Sequence, residues 1–479
     1  MEDFLLKLLY ILEANIILFV CQVFTIFVVL KLIVDKKSAS NILAWLLAIL
    51  FVPYIAIPFF FIFGRKDNEK SSWQKDSMSI NQKCPIDINK YEKNNLPTDV
   101  INVFSSLKVP TLTSSNTFEI YTDGVESYKH FHEAIKNAKS SIYVQTYVFK
   151  HDTTSKLILR LLEKKASEGL EVKILIDSLG SFYTYRHQKR IFKNLRALGA
   201  EVVFFMPVLS NPFRNYINYR NHRKIYLIDN RIVFSGGMNI GDEYMSPMEH
   251  EGMWEDLLFK IEGESVNYFL TIFQSDWRFS TKKELNPNFS CYSANTNNSK
   301  ENFIQVVPSG PDMDANQLYS GLITAINSAK EKLWIITPYL IPSQDLLQAI
   351  VLAKHRGIDV KIITPKKSNH TFIDRARTTY FRELLANNIE VHFTEKMMHA
   401  KAILIDKNLA MLGSVNLDNR SLFLNYEIAT FVYSESSVAK VDKWAKNMLL
   451  QSSQDNDHIS NKKSRLIIES IIKILTPLM

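Results

Sequence analysis

The feature that most restricts what this chain can fold into is that its larger part is written twice. From residue 118 the helix-like stretch ESYKHFHEAIKNAKSS leads to strand-like IYVQTYVF, helix-like SKLILRLLEKKASEG and the strand EVKILID. From residue 303 the same order returns as QLYSGLITAINSAKEK, LWIITPYLI, QDLLQAIVLAKHRG and DVKIITP. Further on, LRALGAEVVFF in the first copy is answered by LLANNIEVHFT in the second. Strands alternating with amphipathic helices at this rhythm predict α/β units, each built on a buried, largely parallel or mixed sheet. The expected fold class is therefore α/β, with two pseudo-symmetric domains over residues 118–290 and 291–450.

Each copy closes on the pattern H-x-K-x4-D. In YRNHRKIYLIDNRIVFSGGMN the residues are His222, Lys224 and Asp229, followed by Gly236, Gly237 and Asn239. In MMHAKAILIDKNLAMLGSVN they are His399, Lys401 and Asp406, followed by Gly413, Ser414 and Asn416. In the first copy, β-branched and aromatic residues on either side of a polar Asp-Asn turn predict two strands joined there. Two apart on a strand, His222 and Lys224 share a face, whereas Asp229, an odd number of residues away, takes the other. These six residues form the candidate catalytic set, with Asp229 and Asp406 expected to support the site from beneath. If the halves meet about a pseudo-twofold axis, the two His-Lys pairs, 177 residues apart, converge at their interface, where clefts are common.

Imidazole can attack phosphorus or move protons near neutral pH, and lysine and asparagine donate hydrogen bonds to phosphoryl oxygens. Two histidines, two lysines and the amides of Asn239 and Asn416, with Ser414 as a further donor, predict phosphodiester chemistry that needs neither metal nor cofactor. The sequence carries no H-E-x-x-H, no clustered carboxylate ligand motif and no Walker loop. Asp256, 34 residues after His222, and Glu427, 28 after His399, are carboxylates able to orient the histidine of their own copy. The other nine histidines lie outside the pattern and are expected at the surface or in the core. Three widely separated cysteines support neither a disulfide framework nor a zinc ribbon.

The first 66 residues have a different character. Ala14 to Leu30 carries no charge, and a second uncharged run extends from Ser38 to Gly64. A spanning helix needs about 20 apolar residues, so 1–66 predicts a two-helix transmembrane hairpin, kinked at Pro53 and Pro58. The acidic start at Glu2 and Asp3 and the immediate second run argue against a cleaved signal peptide. Lys7, Arg65, Lys66, Lys70 and Lys75 on the terminal side outnumber Lys31, Lys36 and Lys37 at the turn, which predicts both termini and the catalytic region in the cytoplasm. Residues 67–117 read as a polar tether leading into the catalytic region, and 451–479 as a polar linker ending in an amphipathic helix from Arg465 to Leu475. A formal charge of +8 and a pI near 9.0 favour anionic partners.

The duplicated pattern, with GGMN after one copy and GSVNLDNRS after the other, resembles the phospholipase D superfamily. With SASNILAWLLAILFVPYIAIPFFFIFGRK, IITPYLIP, GSVNLDNRSLFLNYE and the closing ILTPLM, it is similar more narrowly to the bacterial cardiolipin synthases, over nearly the whole chain. The departure is MWED, where Glu255 stands in place of the family's usual arginine. The resemblance implies a transferase acting on phosphatidylglycerol, with His222 attacking phosphorus. His399 would protonate departing glycerol and then deprotonate the hydroxyl of a second phosphatidylglycerol, giving cardiolipin. It further implies Lys224, Lys401, Asn239 and Asn416 around the phosphate oxygens, anionic membrane lipid as partner, no nucleic acid, and a place in the bacterial inner membrane. The alternative is hydrolysis, in which water opens the same phosphoenzyme. Asp374, Arg375, Arg377 and Tyr380 fall on a helix before the second copy; they are expected to form a solvated face, with a lipid entrance as the other reading.

Overall fold

The computed structural model describes residues 2–34, 39–60, 96–209, 218–285, 302–313 and 316–454, with Ile459 and Glu469. The first copy supplies β1 (Asn116–Tyr121), β2 (Ser141–Thr146), β3 (Glu171–Asp177), β4 (Glu201–Phe205), β5 (Ile225–Ile228), β6 (Ile232–Gly236) and β7 (Leu258–Gly263). They form one sheet in the order β1-β7-β6-β5-β2-β3-β4. The second supplies β8 (Ile304–Ser309), β9 (Lys332–Ile336), β10 (Leu340–Ile341), β11 (Asp359–Pro365), β12 (Glu390–Thr394), β13 (Ala402–Ile405), β14 (Leu409–Gly413), β15 (Leu417–Asp418) and β16 (Glu427–Val432). Apart from the small parallel pair β10-β15, these repeat the same order as β8-β16-β14-β13-β9-β11-β12. In each sheet three strands run parallel and four are antiparallel, so both are mixed.

Strands β2, β5, β13 and β14 are buried at every position, as strands covered on both faces must be. Helices Gly124–Asn137 and Thr153–Ser167 cover the outer face of the first sheet through Phe131, Ile135, Ile158 and Leu162. Their starts are fixed by caps. Asp123 accepts from the amides of Val125 and Glu126 at 2.9 and 2.8 Å, and Asp152 forms a capping box with Ser155. Helices Val266–Thr281 and Glu435–Leu450 lie between the two sheets, where Phe269, Phe273 and Trp277 share one core with Val441, Trp444, Leu404 and Leu412. The layers therefore run helix, sheet, helix, sheet, helix, with the middle layer common to both halves.

Two segments differ from their expected character. Within 67–117, helix Thr98–Ser106 buries Val100, Ile101 and Phe104 in the outer core of the second half, where Phe104 meets Phe431 edge-on at 4.9 Å. Each such side chain contributes roughly 1.5–3 kcal/mol of transfer free energy, so this stretch is packed structure from Leu96 onward. On helix Thr371–Ala386 Arg375 is exposed as expected of a solvated face, but Asp374 is half-buried and Arg377 and Tyr380 are buried. The Arg377 guanidinium donates to the carbonyls of Pro338, Pro365 and Lys366 and to Thr364 Oγ1, and pairs with Asp374 at 2.8 Å. It ties down a loop and lines no entrance.

At the N-terminus, helix Glu2–Val34 packs on Ala39–Phe51 through Val28, Leu32, Trp45 and Ile49. Val52 leaves helical geometry (φ −139°, ψ 58°) and the helix resumes over Pro53–Phe59, the break expected of Pro53. Among the described residues no helix is long and apolar enough to cross a membrane, so the expected hairpin is seen here as packed helices only. The tether up to residue 95 lies outside the described residues. So does the expected amphipathic helix Arg465–Leu475, except for Glu469, whose buried carboxylate pairs with Arg382.

Candidate active site

His222 sits in extended chain just before β5 and is stitched to the other half: its amide donates to Tyr426 O at 2.8 Å, and the Tyr426 amide to Arg220 O at 2.9 Å. His399, before β13, mirrors it. Its amide donates to Glu255 O at 2.6 Å, and the Glu255 amide to Met397 O at 2.8 Å. These two bridges bring the His-Lys pairs together at the seam between the halves.

The carboxylates are exchanged across that seam. His222 Nδ1–H donates to Glu427 Oε2 at 3.0 Å, with Ser414 O at 3.1 Å, and His399 Nδ1–H donates to Asp256 Oδ2 at 2.8 Å. Pairing each carboxylate with its own copy's histidine is therefore corrected. Within a half, β6 lies between β5 and β7, which separates the two chains by about 10 Å. The bridge to the other half is much shorter. With Nδ1 engaged as donor, Nε2 of each ring is the nitrogen left without a proton, and in His399 it faces Lys401 Nζ at 3.0 Å.

Gly237 and Ser414, equivalent in sequence, support these carboxylates differently. A Cβ at Gly237 would stand 2.1 Å from Asp256 Oδ1, so the short Asp256 side chain lies over a residue without one. In the second half Ser414 Oγ donates to Glu427 Oε2 at 2.5 Å and accepts from the Ile428 amide. Ser414 thus serves the carboxylate, in place of the expected role as a phosphate donor. Asn239 Oδ1 accepts from the Val148 amide at 3.1 Å and Thr146 Oγ1 at 3.3 Å, which fixes the amide's orientation. Asn416 is held instead by donation from Nδ2 to Ser421 Oγ at 3.4 Å.

Lys224 Nζ donates to His222 O at 2.7 Å, and Lys401 Nζ lies 3.0 Å from both ring nitrogens of His399. Burial lowers both ammonium groups, Lys224 to about 7 and Lys401 to about 8. Burial and then the Lys401 charge push His399 down to about 3; burial also lowers His222, against the pull of Glu427. Each histidine feels the lysine of the other copy, as expected of four groups in one place. Despite its burial, Glu427 is held below its usual range by His222 and Lys224. The site thus holds neutral imidazoles beside partly charged lysines, and a phosphate anion raises the proton affinity of all four.

Asp229 and Asp406 are not part of this cluster. They occupy the turns at the far ends of β5 and β13 in left-handed conformation, φ 54° and 51°. Asp229 accepts from the amides of Lys139, Ser140 and Ser141, and Asp406 from those of Lys330, Glu331 and Lys332. Five residues of strand put Asp229 roughly 17 Å from Lys224, so Asp229 and, by the same spacing, Asp406 are structural supports and not members of the catalytic set. Asp229→Ala is expected to lower stability by about 1–3 kcal/mol, read by thermal melting, with turnover at the folded state unchanged. The amides hold the Asp229 carboxyl below its ordinary range against the effect of burial. Its contribution is therefore complete above the unfolded-state value and is lost as pH falls through the lower folded-state value.

Several residues escaped the sequence reading. Tyr147 stands edge-on to His222 at 4.8 Å, its hydroxyl raised to about 12 by burial, and Tyr244 and Trp254 flank His399 at 5.3 and 5.4 Å. Beneath the site Arg223, fully buried, pairs with Asp276 at 2.7 Å and Asp312 at 3.1 Å and donates to Glu427 O at 3.0 Å. The alternation that joins His222 to Lys224 sends Arg223 the opposite way, and was signal enough to place it below. Among the described residues no group of three His, Cys, Asp or Glu side chains is gathered to hold a metal ion.

The family model described as "Cardiolipin synthase, PLD-like domain" matches residues 131–277 and 322–449, and one described as "Phospholipase_D-nuclease N-terminal" matches 22–65. A cardiolipin synthase of Clostridium perfringens is 33% identical over 465 residues, 93% of this chain and 96% of that protein. One of Listeria monocytogenes is 32% identical over 480 residues, 97% and 98% of the two chains. Among solved structures, a phosphatidylserine synthase of Haemophilus influenzae is similar in fold, with TM-score 0.59 and 16% identity over 79% of this chain and all of that one.

Proposed function

Since this chain belongs to the phospholipase D-like cardiolipin synthase family, we propose that it moves a phosphatidyl group from one phosphatidylglycerol to another, giving cardiolipin and glycerol. The observation that carries the site assignment is the exchanged pair of histidine-carboxylate contacts, each with a buried lysine beside it. In the first step His222 Nε2 attacks phosphorus and a P–N bond forms. The P–O bond to the departing glycerol breaks, and His399 supplies the proton that glycerol takes away. Glu427 accepts the hydrogen bond from Nδ1–H throughout, the proton staying on the ring, and stabilises the positive charge of the phosphorylated imidazolium. In the second step neutral His399 takes the proton from the hydroxyl of a second phosphatidylglycerol. That oxygen bonds to phosphorus, the P–N bond breaks, and His222 is restored. Asp256 orients His399 for both transfers, and Lys224 and Lys401 hold the phosphoryl oxygens.

An attachment to the bacterial inner membrane with the catalytic region on the cytoplasmic side fits this chemistry, since both substrates are bilayer lipids. The uncharged runs before Gly64 support a two-span hairpin, as do apolar side chains such as Phe19, Phe27, Phe51 and Ile55 left exposed on the N-terminal helices. The test is product analysis with the full chain in vesicles of phosphatidylglycerol labelled in its headgroup. Cardiolipin and free glycerol are expected in equal amounts. Phosphatidic acid without cardiolipin would make the protein a hydrolase of the same bond.

A further inference from the structure

The pseudo-symmetry puts two surface segments at matching places beside the site, one carrying the short helices Phe182–Arg186 and Gln188–Ile191 and the other the first turn of helix Thr371–Ala386. β2 pairs antiparallel with β5, Gln145 opposite Ile225, so β2 ends where His222 and Lys224 begin; β3 runs parallel to β2 and ends at the same edge. In the second half β9 and β11 stand in the same relation to β13. The segments that follow β3 and β11, residues 178–191 and 366–375, therefore emerge on the side of the molecule where the seam opens.

The first is anchored to a wall of the site, the second to the chain that follows β9. Ser181 Oγ donates to Tyr147 O at 2.9 Å, and Tyr147 packs on His222. In the second loop Tyr339 bonds Asn369 and faces His370 at 5.8 Å. Beyond these anchors the loops turn large apolar groups outward: Phe182, Tyr183 and Phe372 are 40, 54 and 42% exposed. Within them the unpaired charge is of one sign, and the acid beside them, Glu395, pairs with Lys366 at 3.4 Å. Residues 178–191 contain Arg186, Lys189 and Arg190 and no acid, and all three are exposed. Residues 366–375 contain exposed Lys367 and Arg375, and their acid, Asp374, is paired with Arg377.

Exposed aromatics flanked by basic residues suit the boundary between headgroups and acyl chains of an anionic bilayer, where rings sit at headgroup depth and cations meet lipid phosphates. We propose that the loops 178–191 and 366–375 dock this face on an anionic phospholipid bilayer, seating Phe182, Tyr183 and Phe372 among the headgroups so that the seam between the halves opens onto lipid. The proposal rests on membrane phospholipid being the substrate. It adds the surface by which the two halves, acting as equivalent legs, set the site at headgroup height.

The test uses the full chain carrying Phe182→Ser, Tyr183→Ser and Phe372→Ser together, all at exposed positions. Activity is compared on phosphatidylglycerol in vesicles and on a short-chain phosphatidylglycerol dispersed as monomers. The variant is expected to lose about tenfold or more on vesicles and to stay within about twofold of wild type on the monomeric lipid. An equal loss on both, or no loss on either, overturns the proposal. Tyr183→Trp in the full chain gives a readout independent of turnover: extra fluorescence quenched by vesicles with brominated acyl chains supports docking. Fluorescence indifferent to them rejects it, and would leave that face to a second copy or a protein partner. If the wild-type chain makes no cardiolipin from either substrate, the proposed function fails, and the quenching still decides the docking surface.

Discussion

His222→Ala is expected to reduce cardiolipin formation on the order of 10⁴-fold or more, because it removes the atom that carries the phosphatidyl group between the two lipids. His399→Ala removes a proton carrier, with an expected loss of roughly 10²–10⁴-fold. Turnover alone does not separate these roles, since glycerol leaves poorly without an acid and both variants fail with the natural substrate. A phosphodiester with a nitrophenolate leaving group separates them. Nitrophenolate departs without a proton, so His399→Ala should release it in a burst, and a covalently phosphorylated protein should accumulate and be seen by intact mass. His222→Ala should give neither burst nor adduct. A burst from His222→Ala and none from His399→Ala would reverse the assignment. Glu427 on His222 and Asp256 on His399 give both rings an unprotonated Nε2, so the tautomer alone does not choose the nucleophile. Lys401 within 3.0 Å of the His399 ring nitrogens is a difference between them, and because a cation there lowers the basicity of His399 it supports the proposal of His222 as the nucleophile.

The second large effect concerns stability. Arg223 lies between the two functional residues His222 and Lys224, yet its guanidinium is fully buried beneath them, shared by Asp276, Asp312, Ser309 O and Glu427 O. Arg223→Ala strands two buried carboxylates and empties a large volume, an expected loss of about 3–5 kcal/mol. For a chain of this size the melting temperature of the detergent-solubilised protein should fall by about 3–5 °C. Adding Asp276→Asn and Asp312→Asn to Arg223→Met should recover much of that, since the cost arises from the unpaired charges more than from the lost bonds. No recovery would show that Arg223 acts chiefly by filling space.

The repeated helices and parallel strands were legible because each is an uninterrupted run with its own period: EVKILID and DVKIITP are β3 and β11 almost to the residue. The outer antiparallel strands β1 and β8, and the helices Val266–Thr281 and Glu435–Leu450 of the shared middle layer, were not read. Their apolar faces match a partner sheet that only the assembled protein provides, so no local period announces them as the centre of the molecule. At the site, strand alternation correctly grouped His222 with Lys224 and separated Asp229. It could not tell that Asp256 and Glu427 would change partners, because that depends on a bridge between Tyr426 and His222 that joins residues 204 apart in the sequence. Ser414 was misread for a related reason: its hydroxyl is satisfied by a carboxylate thirteen residues on.

The exchanged carboxylates also bear on how such a duplication can age. Once each copy holds the other's histidine, neither gene segment is at liberty to diverge as a spare. A change at Asp256 is felt by the ring at His399, and one at Glu427 by the ring at His222. Selection therefore acts on pairs that straddle the repeat. The halves can lose resemblance everywhere else, as Gly237 and Ser414 have already done, while the crossing contacts keep them a single heritable unit.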